Sequence, residues 1–392
     1  MKNLNILLSL NRFYPEVGGA ETNLYFQANK LAENFDVTVF TPKRMESKDH
    51  EEMNGYKIFR FFDILNFSGK MPNLKAKTLS PGMFFKVLLG KRFDVIMCFP
   101  AVNYNNMLIY FAAKIRKIPI ILCSFDLLDY AEIIKQEGGI DPNLLKSYQF
   151  NRKREFFFKG YDKIFAISNR EIEVFRRYNN NVDYSPVPVK IEEYEKEVGD
   201  PREIYKIDKN KFTFLSLGRV SSIKGQDIAL DSFISTSDRY PETKLVFVGR
   251  DDYEPDFVKK MKKKIKENNL ESRVIFTGIV ERDEVLGWLK YCDIHIIPVR
   301  FMNSGAVVVE TWASGTPVIQ SDAVDPNLVE EGKNGYLFKS EDRAELSDKM
   351  EKAIQGRSKL GNFAIRGNIL VKEKYTYEYL VNLYEKAFSE LI

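Results

Sequence analysis

The sequence predicts an α/β protein made of two doubly wound domains in tandem. Its 392 residues exceed what one ordinary hydrophobic core organises. Short apolar runs alternate with amphipathic runs of helical length, and a charge-rich segment divides the chain near its middle. Apolar strands that alternate with helices are typical of parallel sheets covered on both faces, so each half should form one such sheet.

Each half contains enough strand and helix patterns for a sheet of its own. In the first domain, residues 1–188, strand patterns occur at 5–10, 36–42, 56–62, 94–100, 119–125 and 162–168, and helical patterns include 20–34, 104–116 and 142–159. In the second domain, residues 211–372, strand patterns occur at 212–219, 244–250, 273–278, 294–299 and 317–322, and helical patterns at 225–237, 254–268, 282–291, 305–314 and 341–356.

Two segments lie outside these sheets. Prolines followed by a run of charged residues predict a linker at 189–210. The amphipathic run 375–392 predicts that residues 373–392 include a helix that packs back on the first domain. Because ligands bind beyond the carboxyl ends of parallel strands, we expect the two domains to face each other across a ligand-binding cleft.

Composition excludes several other classes of protein. The net charge is +4, from 59 basic and 55 acidic residues, which is too small an excess to indicate a nucleic-acid partner. Cys98, Cys123 and Cys292 lie in apolar, strand-like runs without metal-site spacing, which indicates buried, reduced thiols. No run approaches the roughly 18–20 apolar residues that span a membrane. We therefore expect a cytoplasmic protein.

Two cations lie five positions apart at a predicted turn from strand to helix. They are Arg219 and Lys224 in "GRVSSIKG", residues 218–225. The N-terminus of a helix already favours anions, and an arginine adds a hydrogen-bonding fork while a lysine adds a point charge. This arrangement suits a diphosphate leaving group. The alternative is that both side chains are solvated surface cations.

A glycine pair, Gly18-Gly19, follows the first predicted strand. Glycines there allow the backbone to approach a ligand closely at the start of the first helix. The spacing is not G-x-G-x-x-G, which disfavours a dinucleotide site. A plain turn is the alternative.

A single carboxylate, Glu310, interrupts the apolar run "GAVVVETWASGTPVI", residues 305–319. A glutamate is rarely buried without a partner. Ser304 or Asn303 can cap a helix over 305–313 that ends at Gly315, which puts Glu310 within that helix. Its carboxylate can accept two hydrogen bonds from adjacent ribose hydroxyls. The alternative is that Glu310 pairs with a nearby arginine or lysine.

Taken in order, these motifs resemble those of the retaining GT-B glycosyltransferases of family four. The resemblance covers nearly the whole chain and includes two further stretches, "FTGIV" at 276–280 and "EEGKNGYLF" at 330–338. It implies two Rossmann-like domains and transfer of a sugar from a nucleoside-diphosphate donor, with retention. The acceptor it implies is a hydroxyl of a glycan, a lipid-linked sugar or a small molecule. The sequence shows no histidine or cysteine cluster and no clear D-x-D after a strand, so we expect transfer without a metal or other cofactor.

The resemblance also implies roles for individual residues. Arg219 and Lys224 would hold the donor diphosphate, Glu310 the ribose, the backbone near Ile279 and Val280 the base, and Gly19 the donor phosphate or sugar. The predicted donor-binding residues are Gly18, Gly19, Arg219, Lys224, Ile279, Val280, Met302, Ser304, Gly305, Ala306 and Glu310. The predicted catalytic residues are Arg219, Lys224 and Asp126, the last to orient the sugar or the acceptor.

The sequence departs from the family pattern at two positions. Met302 stands where the family usually has a second glutamate, and Phe125, before Asp126, stands where many members have a histidine. A different donor sugar is the simpler explanation. The alternatives are a catalytically silent GT-B partner subunit and a sugar-nucleotide epimerase. The remaining histidine within a strand, His295, is predicted to be a hydrogen-bonded core residue.

Two stretches of the first domain mix cations with large apolar side chains, at 70–93 and 151–163. That composition favours an anionic membrane surface and a lipid-linked acceptor, with the protein peripheral on the inner face of the membrane. The alternative is that both are amphipathic core helices with solvated polar faces.

Overall fold

The structure is a computed structural model that describes residues 4–16, 19–44, 47–65, 78–99, 103–124, 155–300 and 305–392. The chain divides into two compact units. The first comprises Met1–Val187 and Tyr377–Ile392, and the second comprises Pro188–Thr376. Each unit is an α/β layer structure around its own sheet, and this confirms the predicted fold class of two doubly wound domains.

The first unit is built on an eight-stranded sheet in the order β3-β4-β2-β1-β5-β6-β7-β8. Its strands are β1 Asn5–Leu10, β2 Asp36–Pro42, β3 His50–Met53, β4 Tyr56–Phe61, β5 Val95–Phe99, β6 Ile120–Cys123, β7 Lys163–Ala166 and β8 Val182–Tyr184. All neighbouring strands are parallel except β3 and β4, which form an antiparallel hairpin. Its helices are α1 Gly19–Ala32, α2 Pro81–Leu89, α3 Tyr104–Arg116, α4 Asn169–Arg176 and, from the end of the chain, the helix Tyr377–Leu391.

Alternating side chains of the strands feed two cores, one on each face of this sheet. On one face Ile6 and Leu8 pack with α1 and with Leu380 and Phe388 of the C-terminal helix. On the other face Leu7 packs with residues of α2 and α3. The C-terminal helix therefore completes the core of the first unit.

The second unit has six parallel strands in the order β11-β10-β9-β12-β13-β14. They are β9 Phe212–Leu217, β10 Thr243–Val248, β11 Val274–Gly278, β12 Ile294–Ile297, β13 Val318–Ser321 and β14 Gly335–Phe338. The helices are α5 Ile191–Tyr194, α6 Gln226–Ser237, α7 Pro255–Glu267, α8 Arg282–Tyr291, α9 Ala306–Ala313, α10 Arg343–Gln355 and α11 Arg357–Lys374, so the C-terminal helix is α12.

The predicted linker at 189–210 is instead part of the second unit. Val189, Tyr194 and Ile207 are buried in its core, and the Val189 N–H donates to the Tyr375 carbonyl oxygen over 2.8 Å. The segment packs because these apolar residues recur among its charged ones. The second unit accordingly begins at Pro188, and the first unit resumes at Tyr377 rather than at residue 373.

Two further sequence expectations concern the cysteines and the membrane. Cys98, Cys123 and Cys292 are buried free thiols, as predicted. Among the helices that the structure describes, none combines the length and the apolar character that crossing a bilayer requires. The helical pattern at 142–159 lies mostly outside the described residues, and its described end forms a 3₁₀ helix at Glu155–Gly160.

Candidate functional site

The strand order of the second unit reverses between β9 and β12. The chain leaves β9 towards β10 on one side, whereas β12 lies on the other side of β9. Ligands of doubly wound sheets bind beyond the carboxyl ends of the strands at such a reversal. Arg219 and Lys224 follow β9, Ile279 and Val280 follow β11, and the helix that carries Glu310 follows β12. These predicted residues therefore belong to one edge of one sheet.

Arg219 follows Gly218 at the end of β9, where the backbone lies close to the end of β10. Gly218 has a φ of 128°, and a Cβ on Gly249, at the end of β10, would lie 2.5 Å from the Gly218 carbonyl oxygen. Arg219 is exposed, and its guanidinium carbon lies 3.8 Å from the centre of the Tyr253 ring. Within the described parts of the chain, no carboxylate forms a salt bridge with Arg219.

Lys224 ends the 3₁₀ turn Ser222–Lys224 that precedes α6. The chain then passes through Gly225, where φ is 68° and where a Cβ would collide with the Pro298 carbonyl group. Lys224 is half-buried, and burial together with the positive charge of Arg219 lowers the pKa of its ammonium group. The described residues offer Lys224 no carboxylate within salt-bridge distance. The turn therefore holds two neighbouring cations, and no carboxylate in the described part of the chain forms a salt bridge with either.

Hydrogen bonds from residues that were not among the predicted site residues stabilise the turn between Arg219 and Lys224. Gln226 accepts the Ser221 N–H over 3.2 Å and donates to the Arg219 carbonyl oxygen over 3.1 Å. Arg300, after β12, forms a bidentate ion pair with Asp227 of α6 at 2.7 Å for each bond. Its backbone N–H donates to the Ile223 carbonyl oxygen over 3.1 Å. The ends of β9 and β12 are thereby fixed to each other.

Glu310 lies on α9, which begins after Gly305 in a left-handed conformation with φ of 65°. A Cβ at Gly305 would collide with Leu328, so glycine is required there. Glu310 is half-buried, and burial raises the pKa of its carboxyl group. The positive charge of Arg282 and the neighbouring Tyr194 hydroxyl act in the opposite direction.

Tyr194 and Arg282 form a network beside this carboxylate. Arg282 donates to the Tyr194 hydroxyl over 3.0 Å and to a Glu193 carboxylate oxygen over 2.7 Å. Burial and the charge of Glu310 raise the pKa of the Tyr194 hydroxyl. The ion-pair partner of Arg282 is thus Glu193, and among the described residues no arginine or lysine forms a salt bridge with Glu310. Tyr194 belongs to the segment that was expected to be a linker.

His295 of β12 connects the two halves of the site through hydrogen bonds. Its Nε2 accepts the Leu217 N–H over 3.1 Å, and its Nδ1 lies 2.8 Å from Thr311 Oγ1. Because the Thr311 hydroxyl donates to the Val307 carbonyl oxygen over 2.6 Å, Nδ1 must carry the proton that His295 gives to Thr311. Burial lowers the pKa of His295 to about 3, which keeps the imidazole neutral. The predicted hydrogen-bonded core histidine is confirmed.

The neutral state of His295 predicts how stability depends on pH. In the unfolded chain this imidazole binds a proton near its usual pKa of 6.5, whereas in the folded protein it does so only near 3. Its contribution to the free energy of unfolding is therefore complete above pH 6.5 and falls by about 1.4 kcal/mol for each pH unit below it. Urea unfolding at several pH values should show this loss in the wild type and not in His295→Gln.

The only other histidine in the sequence supplies the control for this measurement. His50 is exposed, so His50→Gln should keep the pH dependence of the wild type. An unchanged pH dependence in His295→Gln would contradict the neutral, buried imidazole.

The turn at the end of β11, residues 278–280, is apolar, unlike the turn that carries Arg219 and Lys224. Gly278 has a φ of 71°, and the Ile279 side chain that follows is 75% exposed. Val280 is half-buried and packs against the core of the second unit. This turn thus presents backbone groups beside one large apolar side chain, which suits a flat aromatic ring.

The remaining predicted residues lie in the first unit, at the start of α9 or at undescribed positions. Gly19 is the exposed first residue of α1 in the first unit, and a Cβ there would meet no atom within 4 Å. Gly18, Phe125, Asp126, Met302, Asn303 and Ser304 lie outside the described residues. Ala306 is the first residue of α9. In the described part of the chain, no three His, Cys, Asp or Glu side chains are grouped to hold a metal ion.

Two family models match the chain one after the other. The model described as Glycosyltransferase Family 4 matches residues 17–189, and the model described as Glycosyl transferases group 1 matches residues 199–368. These two segments belong largely to the first and to the second unit, respectively.

Sequence relatives and solved structures agree with these matches. The uncharacterized glycosyltransferase MJ1069 of Methanocaldococcus jannaschii is 23% identical over 419 residues, covering 100% of both chains. The alpha-monoglucosyldiacylglycerol synthase of Streptococcus pneumoniae is 24% identical over 349 residues, covering 86% of this chain and 76% of its own. The crystal structure of HepE from Anabaena in complex with UDP and glucose superposes with a TM-score of 0.72 at 19% identity, covering 99% of this chain and 100% of HepE.

The two family models identify the chain as a glycosyltransferase, and the structural match supports its fold. Together they show that the chain belongs to the family-four glycosyltransferases, the group 1 enzymes with the GT-B fold.

Proposed function

We propose that this glycosyltransferase takes its sugar from a nucleoside-diphosphate donor that the second unit binds at the β9/β12 edge. Arg219 and Lys224 hold the diphosphate, Glu310 accepts the ribose hydroxyls, and the backbone at Ile279 and Val280 meets the base. The pair of cations carries this proposal. Two neighbouring positive charges without a described carboxylate partner supply the charge and the donors that a diphosphate requires.

The ribose role of Glu310 is supported by its surroundings. The carboxylate is half-buried, and its oxygens, which no described cation holds in a salt bridge, can accept hydrogen bonds. Two adjacent ribose hydroxyls are such donors, and their hydrogen bonds would favour the charged carboxylate. Arg282, held by Glu193 and Tyr194, keeps a positive charge near Glu310 without occupying it in an ion pair.

We further propose that the transfer needs no metal ion and retains the anomeric configuration. Arg219 and Lys224 neutralise the negative charge that develops on the leaving diphosphate, the task that a divalent cation performs in other transferases. The acceptor hydroxyl attacks the anomeric carbon on the face that the diphosphate leaves, and its proton passes to a donor phosphate oxygen. Proton NMR of the first product formed would report the anomeric configuration.

The acceptor that we propose is a lipid-linked hydroxyl at an anionic membrane surface. One relative that matches most of this chain is named for the synthesis of a glucosyldiacylglycerol, a lipid. The cations and apolar side chains within 78–93 and 155–163 of the first unit also support a lipid surface.

A panel of sugar nucleotides tests the transferase proposal against its two alternatives. We expect release of nucleoside diphosphate from one donor, faster with acceptor lipid than without it and undiminished by excess EDTA. An epimerase would change the sugar in the absence of acceptor, and a silent subunit would bind a nucleotide without turnover. Loss of activity in EDTA that Mg²⁺ restores would contradict the metal-independent step.

A further inference from the structure

Helices α2 and α3 lie side by side and run in the same direction on one face of the first unit. At their N-terminal ends the Ser80 N–H donates to Asn105 Oδ1 over 2.7 Å. At their C-terminal ends Arg116 donates to the carbonyl oxygens of Val87 and Gly90, over 2.9 and 2.8 Å. The two helices therefore present a continuous surface rather than two separate ones.

The outer side of this helix pair is apolar. Phe85 and Leu89 of α2 are 56% and 79% exposed, and Phe111 and Ile115 of α3 are 48% and 64% exposed. Each pair is spaced four residues apart, so its members lie on one side of their helix. The opposite sides bury Met83 and Val87 of α2 and Ile109, Ala112 and Ala113 of α3. The exposed apolar side chains are thus additional to those that fill the core.

The charged residues of the two helices have one sign. Every exposed residue of α2 and α3 is an apolar residue, a glycine or a lysine. These residues, which we call the α2–α3 face, are Gly82, Phe85, Lys86, Leu89, Phe111, Lys114 and Ile115. Residues 81–93 and 103–119 contain six cations and no aspartate or glutamate. Lys114 pairs at 3.1 Å with Asp162, which lies outside the two helices, whereas Lys86 forms no salt bridge with a described carboxylate.

This combination distinguishes the face from an ordinary solvated one. The exposed side of a surface helix usually carries polar residues and charges of both signs. Adjacent large apolar side chains indicate a contact surface, and helices that carry cations but no acids complement a negatively charged partner. Apolar side chains for the acyl boundary and lysines for anionic headgroups are what an interfacial helix offers to a bilayer.

We propose that the α2–α3 face docks the first unit on an anionic lipid bilayer. Phe85, Leu89, Phe111 and Ile115 enter the headgroup region, and the lysines contact anionic headgroups. This inference rests on the proposed lipid-linked acceptor, because docking holds the first unit at the surface where such an acceptor is presented.

Co-sedimentation with lipid vesicles tests the docking face. The full-length protein should sediment with vesicles of phosphatidylcholine and about 30% phosphatidylglycerol at least tenfold more than with phosphatidylcholine alone, and less as salt is raised. The double variant Leu89→Gln/Ile115→Gln should lose most of this binding. The matched control is Ile365→Gln/Ile369→Gln on α11, where the two isoleucines are 59% and 50% exposed with the same spacing and should bind as the wild type does.

Other outcomes of the same experiment would overturn the docking proposal. Equal binding to both vesicle types, or equal losses in both double variants, would exclude this face as an anionic-lipid site. Sedimentation analysis showing a dimer that only Leu89→Gln/Ile115→Gln dissociates, without vesicle binding by the wild type, would assign the face to a second copy.

Donor binding is measured separately so that the two proposals can fail independently. Leu89→Gln/Ile115→Gln should bind nucleoside diphosphate as the wild type does, by titration calorimetry without vesicles. Vesicle binding without nucleotide binding would leave the docking face intact and remove the proposed function.

Discussion

Arg219→Ala should lower kcat/KM for the sugar nucleotide about 10²–10³-fold. The guanidinium group is placed to stabilise charge that grows on the diphosphate as the sugar leaves, and removing one such donor typically raises the barrier by about 3–4 kcal/mol. The loss should appear mainly in kcat, because the interaction strengthens in the transition state. Steady-state kinetics with the donor identified in the sugar-nucleotide panel measures both quantities.

The neighbouring strand offers a matched control for this variant. Arg250 follows Gly249 at the end of β10 as Arg219 follows Gly218 at the end of β9. Unlike Arg219, Arg250 forms an ion pair with Asp252. Arg250→Ala should therefore keep activity within about threefold of the wild type, since exposed ion pairs contribute little. Near-normal kcat in Arg219→Ala, or equal losses in the two variants, would remove Arg219 from the diphosphate site.

Lys224→Ala should weaken the binding of nucleoside diphosphate about 10- to 100-fold at pH 8. A hydrogen bond to a charged group contributes about 1.5–3 kcal/mol, and Lys224 has no described carboxylate that would compete for it. Titration calorimetry gives the dissociation constant directly. An unchanged dissociation constant would contradict the assignment.

Lys224 should also make binding depend on pH. Burial and the charge of Arg219 lower its pKa from the usual 10.5, and a bound diphosphate favours the protonated amine. Affinity should therefore fall as the pH rises through this lowered pKa, with uptake of a proton on binding. Calorimetry in two buffers with different ionisation enthalpies detects the uptake. Lys224→Arg should retain the affinity within about tenfold and abolish the uptake, because arginine does not titrate in this range.

Eleven of the fourteen described strands are predictable from the sequence because they are continuous apolar runs, and β2 and α8 begin and end where the pattern places them. The short edge strands β8 Val182–Tyr184 and β14 Gly335–Phe338 are not among the predicted runs. The hairpin strand β3 cannot be recognised by apolar patterning because its sequence, HEEM, is polar. Its signal is the Asn54-Gly55 turn, where both residues have positive φ. The packing of 189–210 is missed because its buried residues are scattered among charges.

The residues of the candidate site also fall into those that local sequence singles out and those that only the folded chain brings together. Arg219, Lys224 and Glu310 stand in compact motifs next to strand ends, so local sequence is enough to single them out. Tyr194, Arg282 and Arg300 come from distant segments, and only the folded chain brings Tyr194 to Glu310 or Arg300 to Asp227. His295 is recognisable as a core residue, but its link between Leu217 and Thr311 depends on the register of β9 and β12.

The crystal structure of the protein with bound nucleoside diphosphate tests the donor site most directly. We expect the diphosphate oxygens within hydrogen-bond distance of both Arg219 and Lys224, and the two ribose hydroxyls on the Glu310 carboxylate. A nucleotide bound elsewhere, or one whose ribose hydroxyls do not reach Glu310, would contradict the proposed donor site.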